Sequence, residues 1–124
     1  MPLEVVVLDD DALQTRVLQR GLTKRFPDAC VNAFVDPRVA WRAVLDRPPS
    51  VVITDQDMPS CSGVEFARTI REALGARCPR VVLVSGARIT RSDLRLFDAH
   101  LQKPYRLDYM AGILRPWLDR VAAR

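Results

Sequence analysis

Short, continuous apolar runs alternate with amphipathic stretches along this chain. Val5-Val6-Val7-Leu8, Val51-Val52-Ile53 and Val81-Val82-Leu83-Val84 are rich in β-branched residues and show no polar alternation. Such runs predict strands buried on both faces, as in a parallel sheet. Two weaker strands are predicted near residues 30–34 and 99–102. Between the runs, Leu13, Val17, Leu18 and Leu22 recur at helical spacing, as do Phe66, Ala67, Ile70 and Leu74. Asp36-Pro37 predicts an N-cap with proline at the first helical position, opening a helix through Trp41 and Leu45. A last helix should bury Leu107, Met110, Ile113, Leu114, Trp117 and Leu118, with a kink or restart at Pro116. The result is five βα units in one doubly wound α/β domain over 1–124, with no repeat, linker or low-complexity stretch.

Composition changes this picture little. At 124 residues, 48% hydrophobic and 27% charged, the chain suits one globular domain that can bury a core. No apolar run approaches the roughly eighteen residues of a membrane span. Met1-Pro2-Leu3-Glu4 leads straight into the first strand, so no signal peptide is expected and a cytoplasmic location fits. Cys30, Cys61 and Cys78 are odd in number and widely spaced, which suits packing or loop thiols better than zinc or disulfides. The net charge of +4 is largely arginine, and Arg88, Arg91, Arg95 and Arg106 gather in the last third. They are read as solvated helix surface, with a basic face for an acidic partner as the other reading. No nucleic-acid motif appears, and direct nucleic-acid binding is not expected.

The chemistry sits where the predicted strands end. The first strand runs into Asp9-Asp10-Asp11, the third into Asp55-Gln56-Asp57, the fourth into Ser85-Gly86 and the fifth into Lys103-Pro104. In open parallel sheets, sites form outside the carboxyl ends of the strands. Carboxylates gathered in one crevice repel one another unless a cation joins them, and Mg²⁺ suits an all-oxygen site. An aspartate there can act as a nucleophile toward phosphorus. A lysine and a serine can then meet the phosphoryl oxygens. Each group also has a plainer role open to it: Asp9 to Asp11 as a helix cap, Asp55 and Ser85 as turn residues, Lys103 as a surface amine. Their joint placement at four strand ends favours a site.

Val-Val-Leu-Asp-Asp-Asp, Ile-Thr-Asp-Gln-Asp-Met-Pro followed by Gly63, Val-Leu-Val-Ser-Gly, and Gln-Lys-Pro together resemble the signatures of CheY-like receiver domains of two-component response regulators. The resemblance covers essentially the whole chain. It implies a (βα)5 flavodoxin-like fold with strand order 2-1-3-4-5. By position it implies Asp55 as phosphoacceptor, Asp10 as a direct Mg²⁺ ligand and Asp9 as a ligand partly through water. The backbone carbonyl of Asp57 would be a further metal contact. Ser85 would be the hydroxyl that turns toward the phosphoryl group, Lys103 the lysine that meets it, and Lys103-Pro104 a cis bond. The implied activity is a signalling switch rather than an enzyme, with a sensor histidine kinase or histidine phosphotransfer protein as donor. A downstream protein or an output domain would receive the signal.

Two departures from the pattern stand out. His100, the chain's one histidine, takes the place of the usual strand-five aromatic. It is either an edge residue without coupling or a switch residue that adds sensitivity to pH. Only residues 86–102 separate Ser85 from Lys103, which predicts a short or distorted fourth helix within 91–97. Two rival functions are a phosphatase of the haloacid-dehalogenase type with Asp9 as nucleophile, and a pseudo-receiver that binds partners without phosphorylation. The first is disfavoured because Asp55-x-Asp57 precedes Ser85. The second is disfavoured because every acidic and lysine position is kept.

Overall fold

In the computed structural model, which describes residues 3–119, the three valine-rich runs become the interior strands of a five-stranded parallel sheet. β1 (Leu3–Leu8), β3 (Val51–Asp55) and β4 (Arg80–Ser85) lie between the edge strands β2 (Ala29–Phe34) and β5 (Ala99–Gln102), in the order β2-β1-β3-β4-β5. Continuous apolar runs are needed because both faces are covered. Alternate residues feed two cores. Val5, Val7, Val51, Ile53, Val82 and Val84 meet α1 (Ala12–Arg25) and α5 (Leu107–Leu118) on one face. Val6, Leu8, Val52 and Val81 meet α2 (Pro37–Asp46) and α3 (Gly63–Leu74) on the other. The domain expected over 1–124 extends past the described residues at both ends.

The helix signals hold with two adjustments. Asp36 caps α2 by accepting from the Arg38 N–H at 2.9 Å, and Pro37 opens the helix. Ser62 and Glu65 form a reciprocal capping box on α3. On α1, however, the buried stripe is Thr15, Leu18 and Leu22, while Leu13 and Val17 are 69% and 60% exposed. Helical spacing alone did not say which of two stripes faces the sheet. α5 runs through Pro116 and ends at Leu118 without restarting. Proline so near the helix end removes one hydrogen bond and leaves little helix to break.

The fourth helix is one turn, α4 (Arg91–Leu94), capped by Thr90. An arginine–carboxylate clamp fixes the chain that follows it. Asp98 Oδ2 accepts from the Val81 N–H at 2.8 Å, and the Asp98 N–H donates to Val81 O at 2.8 Å. Arg71 and Arg80 each donate to the Asp98 carboxylate at 3.3 Å, and Arg71 Nε also reaches Leu96 O. Leu96 and Phe97 then pack against the second core. The clamp fixes the entry into β5 against β4.

Candidate functional site

The order reverses between β1 and β3, and the crevice outside their carboxyl ends collects the acidic groups. Oxygen atoms of Asp9, Asp10 and Asp55 lie within 4.8 Å of one another. Asp11 belongs to the helix instead: its Oδ1 accepts from the Leu13 and Gln14 N–H groups at 3.0 and 3.2 Å. Of the three consecutive aspartates, Asp11 thus caps the helix while Asp9 and Asp10 join the cluster that could hold a metal ion. Asp57 is exposed, and its side chain is outside the cluster; it lines a neighbouring groove with Asp10, Gln56 and Glu65.

Asp55 is buried and held by its neighbours. The Gln56 N–H donates to Val84 O, Gln56 O accepts from the Gly63 N–H, and Gln56 Oε1 accepts from the Val64 N–H, each at 3.0 Å. α3 therefore begins directly against the end of β3. A Cβ at Gly63 would fall 2.5 Å from the Asp55 carbonyl oxygen and 2.8 Å from Leu83. Only glycine permits that approach.

Lys103 closes the site from β5. Its Nζ lies 2.9 Å from Asp55 Oδ1 and 3.9 Å from Asp9 Oδ2, and donates to Gln14 Oε1 at 3.3 Å. Burial disfavours the ammonium, but the Asp55 hydrogen bond and the Asp55 and Asp9 charges outweigh it and raise the Lys103 pKa above its ordinary value. Asp9 is pushed from 3.8 to about 6, first by burial, with the Asp55 charge and a hydrogen bond to Asp10 adding to it. The Asp11 N–H and Lys103 pull the other way. Beneath these groups lies a pocket of about 30 Å³ lined by Asp9, Gln14, Thr15, Asp55, Lys103 and Tyr105. Burial raises the Tyr105 pKa, which keeps it a phenol.

Ser85 is fully buried, and its hydroxyl is engaged locally. It donates to Ala87 O at 2.6 Å and accepts from the Ala87 N–H at 3.0 Å. His100 pairs across the sheet with Leu83, and its Nε2 is buried without a hydrogen-bond partner. The Lys103-Pro104 bond is cis, as the resemblance implied. The structure thus brings Asp9, Asp10, Asp55 and Lys103 together, and holds Ser85 at the end of the neighbouring strand β4. Gln14 was missed, because nothing in the acidic motif singles out a glutamine in the first turn of α1.

No helix among the described residues is long and apolar enough to cross a membrane. Residues 5–111 match the response regulator receiver domain family. Stress response regulator protein 1 of Lodderomyces elongisporus is 29% identical over 93% of this chain, which spans 33% of that relative's length. A CheY-like receiver domain from Methylobacillus flagellatus superposes with a TM-score of 0.81 at 20% identity, over 93% of this chain and 98% of its own. The receiver domain of sensor histidine kinase PA1611 from Pseudomonas aeruginosa, solved with magnesium in its active-site cleft, gives 0.80 at 17% identity, over 95% and 98%. Family match, strand order and fold agree: this chain belongs to the response regulator receiver domains.

Proposed function

We propose that this chain is a signalling switch that accepts a phosphoryl group on Asp55. The observation that carries the proposal is the Asp55 carboxylate, buried at a strand end, hydrogen-bonded to Lys103 at 2.9 Å and clustered with Asp9 and Asp10. A phosphohistidine N–P bond would break as the Asp55 Oδ–P bond forms, and the developing charge needs positive groups already in place. Lys103 is one. The three carboxylates form a hard-oxygen set that suits Mg²⁺; Asp9 is raised first by burial and then by the Asp55 charge, and a cation would relieve both. Asp9, Asp10, Asp55 and the Asp57 carbonyl would hold the ion, which neutralises charge during transfer.

The phosphorylated side chain adds roughly −1.5 to −2 of charge with strong acceptor oxygens. Ser85 can meet those oxygens only by giving up its bond to Ala87, so the response is coupled to the β4–α4 loop. His100, with its unpartnered nitrogen behind that loop, is the second switch position in this reading. An unchanged His100 NMR signal between the two states would remove it.

A sensor histidine kinase or a phosphotransfer protein is the proposed donor. Exposed Leu13 and Val17 support a protein donor, because with Tyr105 and Leu107 they line an apolar groove beside the crevice. Nothing observed favours the haloacid-dehalogenase reading. The test is intact mass after incubation with Mg²⁺ and acetyl phosphate or phosphoramidate. A labile gain of one phosphoryl group that requires Mg²⁺ and is lost in Asp55→Asn is expected. No adduct, with beryllofluoride leaving the Asp55 pocket unperturbed, would leave a pseudo-receiver.

A further inference from the structure

Three oxygens face the Lys103 ammonium: Asp55 Oδ1 at 2.9 Å and Gln14 Oε1 at 3.3 Å within hydrogen-bond reach, and Asp9 Oδ2 at 3.9 Å as a longer ion pair. Two are carboxylates with assigned roles. The third is a neutral amide from a helix 89 residues away in sequence. We propose that Gln14 is a positioning residue that aims the Lys103 ammonium at the phosphoryl oxygens on Asp55; the proposal rests on the receiver reading above.

The first turn of α1 fixes the backbone from which the exposed Gln14 side chain reaches Lys103. Asp11 Oδ1 caps the Leu13 and Gln14 N–H groups, and buried Thr15 donates from Oγ1 to Ala12 O at 2.8 Å. Side chains on a helix lean toward its N-terminus. From the first turn, that direction carries the Gln14 amide back over the strand ends toward Lys103.

A lysine needs such a partner. Its four-carbon stem is flexible, and an ammonium has no preferred plane. When the phosphoryl group arrives, Lys103 must exchange Asp55 Oδ1 for a phosphoryl oxygen. Asp9 is 3.9 Å away and faces competing demands from the cation, so Gln14 is the one partner whose role stays constant. Neutrality matters as well. A carboxylate at position 14 would hold Lys103 equally well, yet it would add a fourth negative charge beside an anionic donor.

The experiment compares wild type with Gln14→Met, which keeps length but has no acceptor oxygen, and with Gln14→Glu. Three quantities are measured: the maximal phosphorylation rate at saturating acetyl phosphate, Mg²⁺ affinity by calorimetry, and hydrogen exchange of the Lys103 ammonium by ¹⁵N NMR. Gln14→Met should lower the maximal rate about fivefold, as expected for losing one ordinary hydrogen bond. It should also speed ammonium exchange and leave Mg²⁺ affinity unchanged. Gln14→Glu should restore slow exchange while phosphorylating more slowly than wild type. A wild-type rate and unaltered ammonium exchange in Gln14→Met overturn the proposal. So does a rate loss matched by lost Mg²⁺ affinity, since that marks distortion of the acidic end of β1. Wild-type protein that takes up no phosphoryl group removes the receiver reading itself, and this proposal with it.

Discussion

Replacing Asp9 with Asn should make the Mg²⁺-free protein more stable at neutral pH. The Asp9 side chain is only 13% exposed; burial first, then the Asp55 charge and a hydrogen bond to Asp10, lift its pKa from 3.8 to about 6. An acid whose folded pKa is raised binds its proton more tightly in the native state. Its contribution is favourable below pH 3.8, declines as pH rises, and is fully lost above about 6. The difference between those two values corresponds to roughly 3 kcal/mol at 1.36 kcal/mol per tenfold. Asn keeps an oxygen for the Asp11 N–H, which donates to Asp9 at 3.0 Å, but carries no charge. Asp9→Asn should therefore exceed wild type by about 2–3 kcal/mol at pH 7.5. The gap should shrink to a few tenths near pH 4, where Asp9 is already protonated. Urea unfolding in EDTA between pH 4 and pH 8 measures this. Trp41 packs against one core and Trp117 against the other, so coincident fluorescence and circular dichroism transitions check two-state behaviour. Adding Mg²⁺ at a hundred times its Kd should raise wild type by about 2.7 kcal/mol and Asp9→Asn by less. Equal stability of the two proteins at pH 7.5 without Mg²⁺, or the same pH slope in both, would refute the account of the crowded carboxylates.

Three further outcomes follow from the packing. Gly63→Ala must displace the Asp55 carbonyl or Leu83, so it should cost about 2–3 kcal/mol in thermal or urea unfolding and slow phosphorylation as well. Asp98→Ala strands the Val81 N–H and uncouples Arg71 and Arg80, and should destabilise by about 2 kcal/mol with faster amide exchange at Leu96 and Phe97. The pair Leu13→Ser and Val17→Ser should leave unfolding within ~0.5 kcal/mol of wild type, because both side chains already face water. With that pair, phosphoryl transfer from a kinase should slow while transfer from acetyl phosphate stays unchanged; equal rates from both donors would exclude the groove.

Much of this architecture was visible in the sequence because its signals are local. A run such as Val51-Val52-Ile53 admits few homes other than a strand covered on both faces, and its aspartate then falls at the sheet's carboxyl edge. Asp36-Pro37 announces a helix start through the chemistry of two residues. What stayed hidden depends on partners distant in the chain. Leu13 and Val17 share the helical spacing of Leu18 and Leu22, and only the position of the sheet shows which stripe is covered. Asp98 reads as an ordinary turn acid until folding brings Arg71 and Arg80 to it. Gln14 acquires meaning only beside Lys103. Ser85 stands out in the sequence as a candidate, but its existing commitment to Ala87 belongs to loop geometry that composition does not encode.

The clamp at Asp98 also sets how far a signal can travel. The segment after Ser85 is tethered at its near end by one hydroxyl and anchored at its far end by two guanidinium groups and by two bonds between Asp98 and the Val81 backbone, one through the Asp98 carboxylate. Between these ends, Arg68 of α3 also reaches Asp93 of α4 at 3.5 Å. If Ser85 let go of Ala87, the near end would be freed while Asp93 and residues 96–102 kept their ties to α3 and the sheet. Under the proposed phosphorylation of Asp55, the displacement would be confined to one loop and a single helical turn, where Arg88, Arg91 and Arg95 are all exposed.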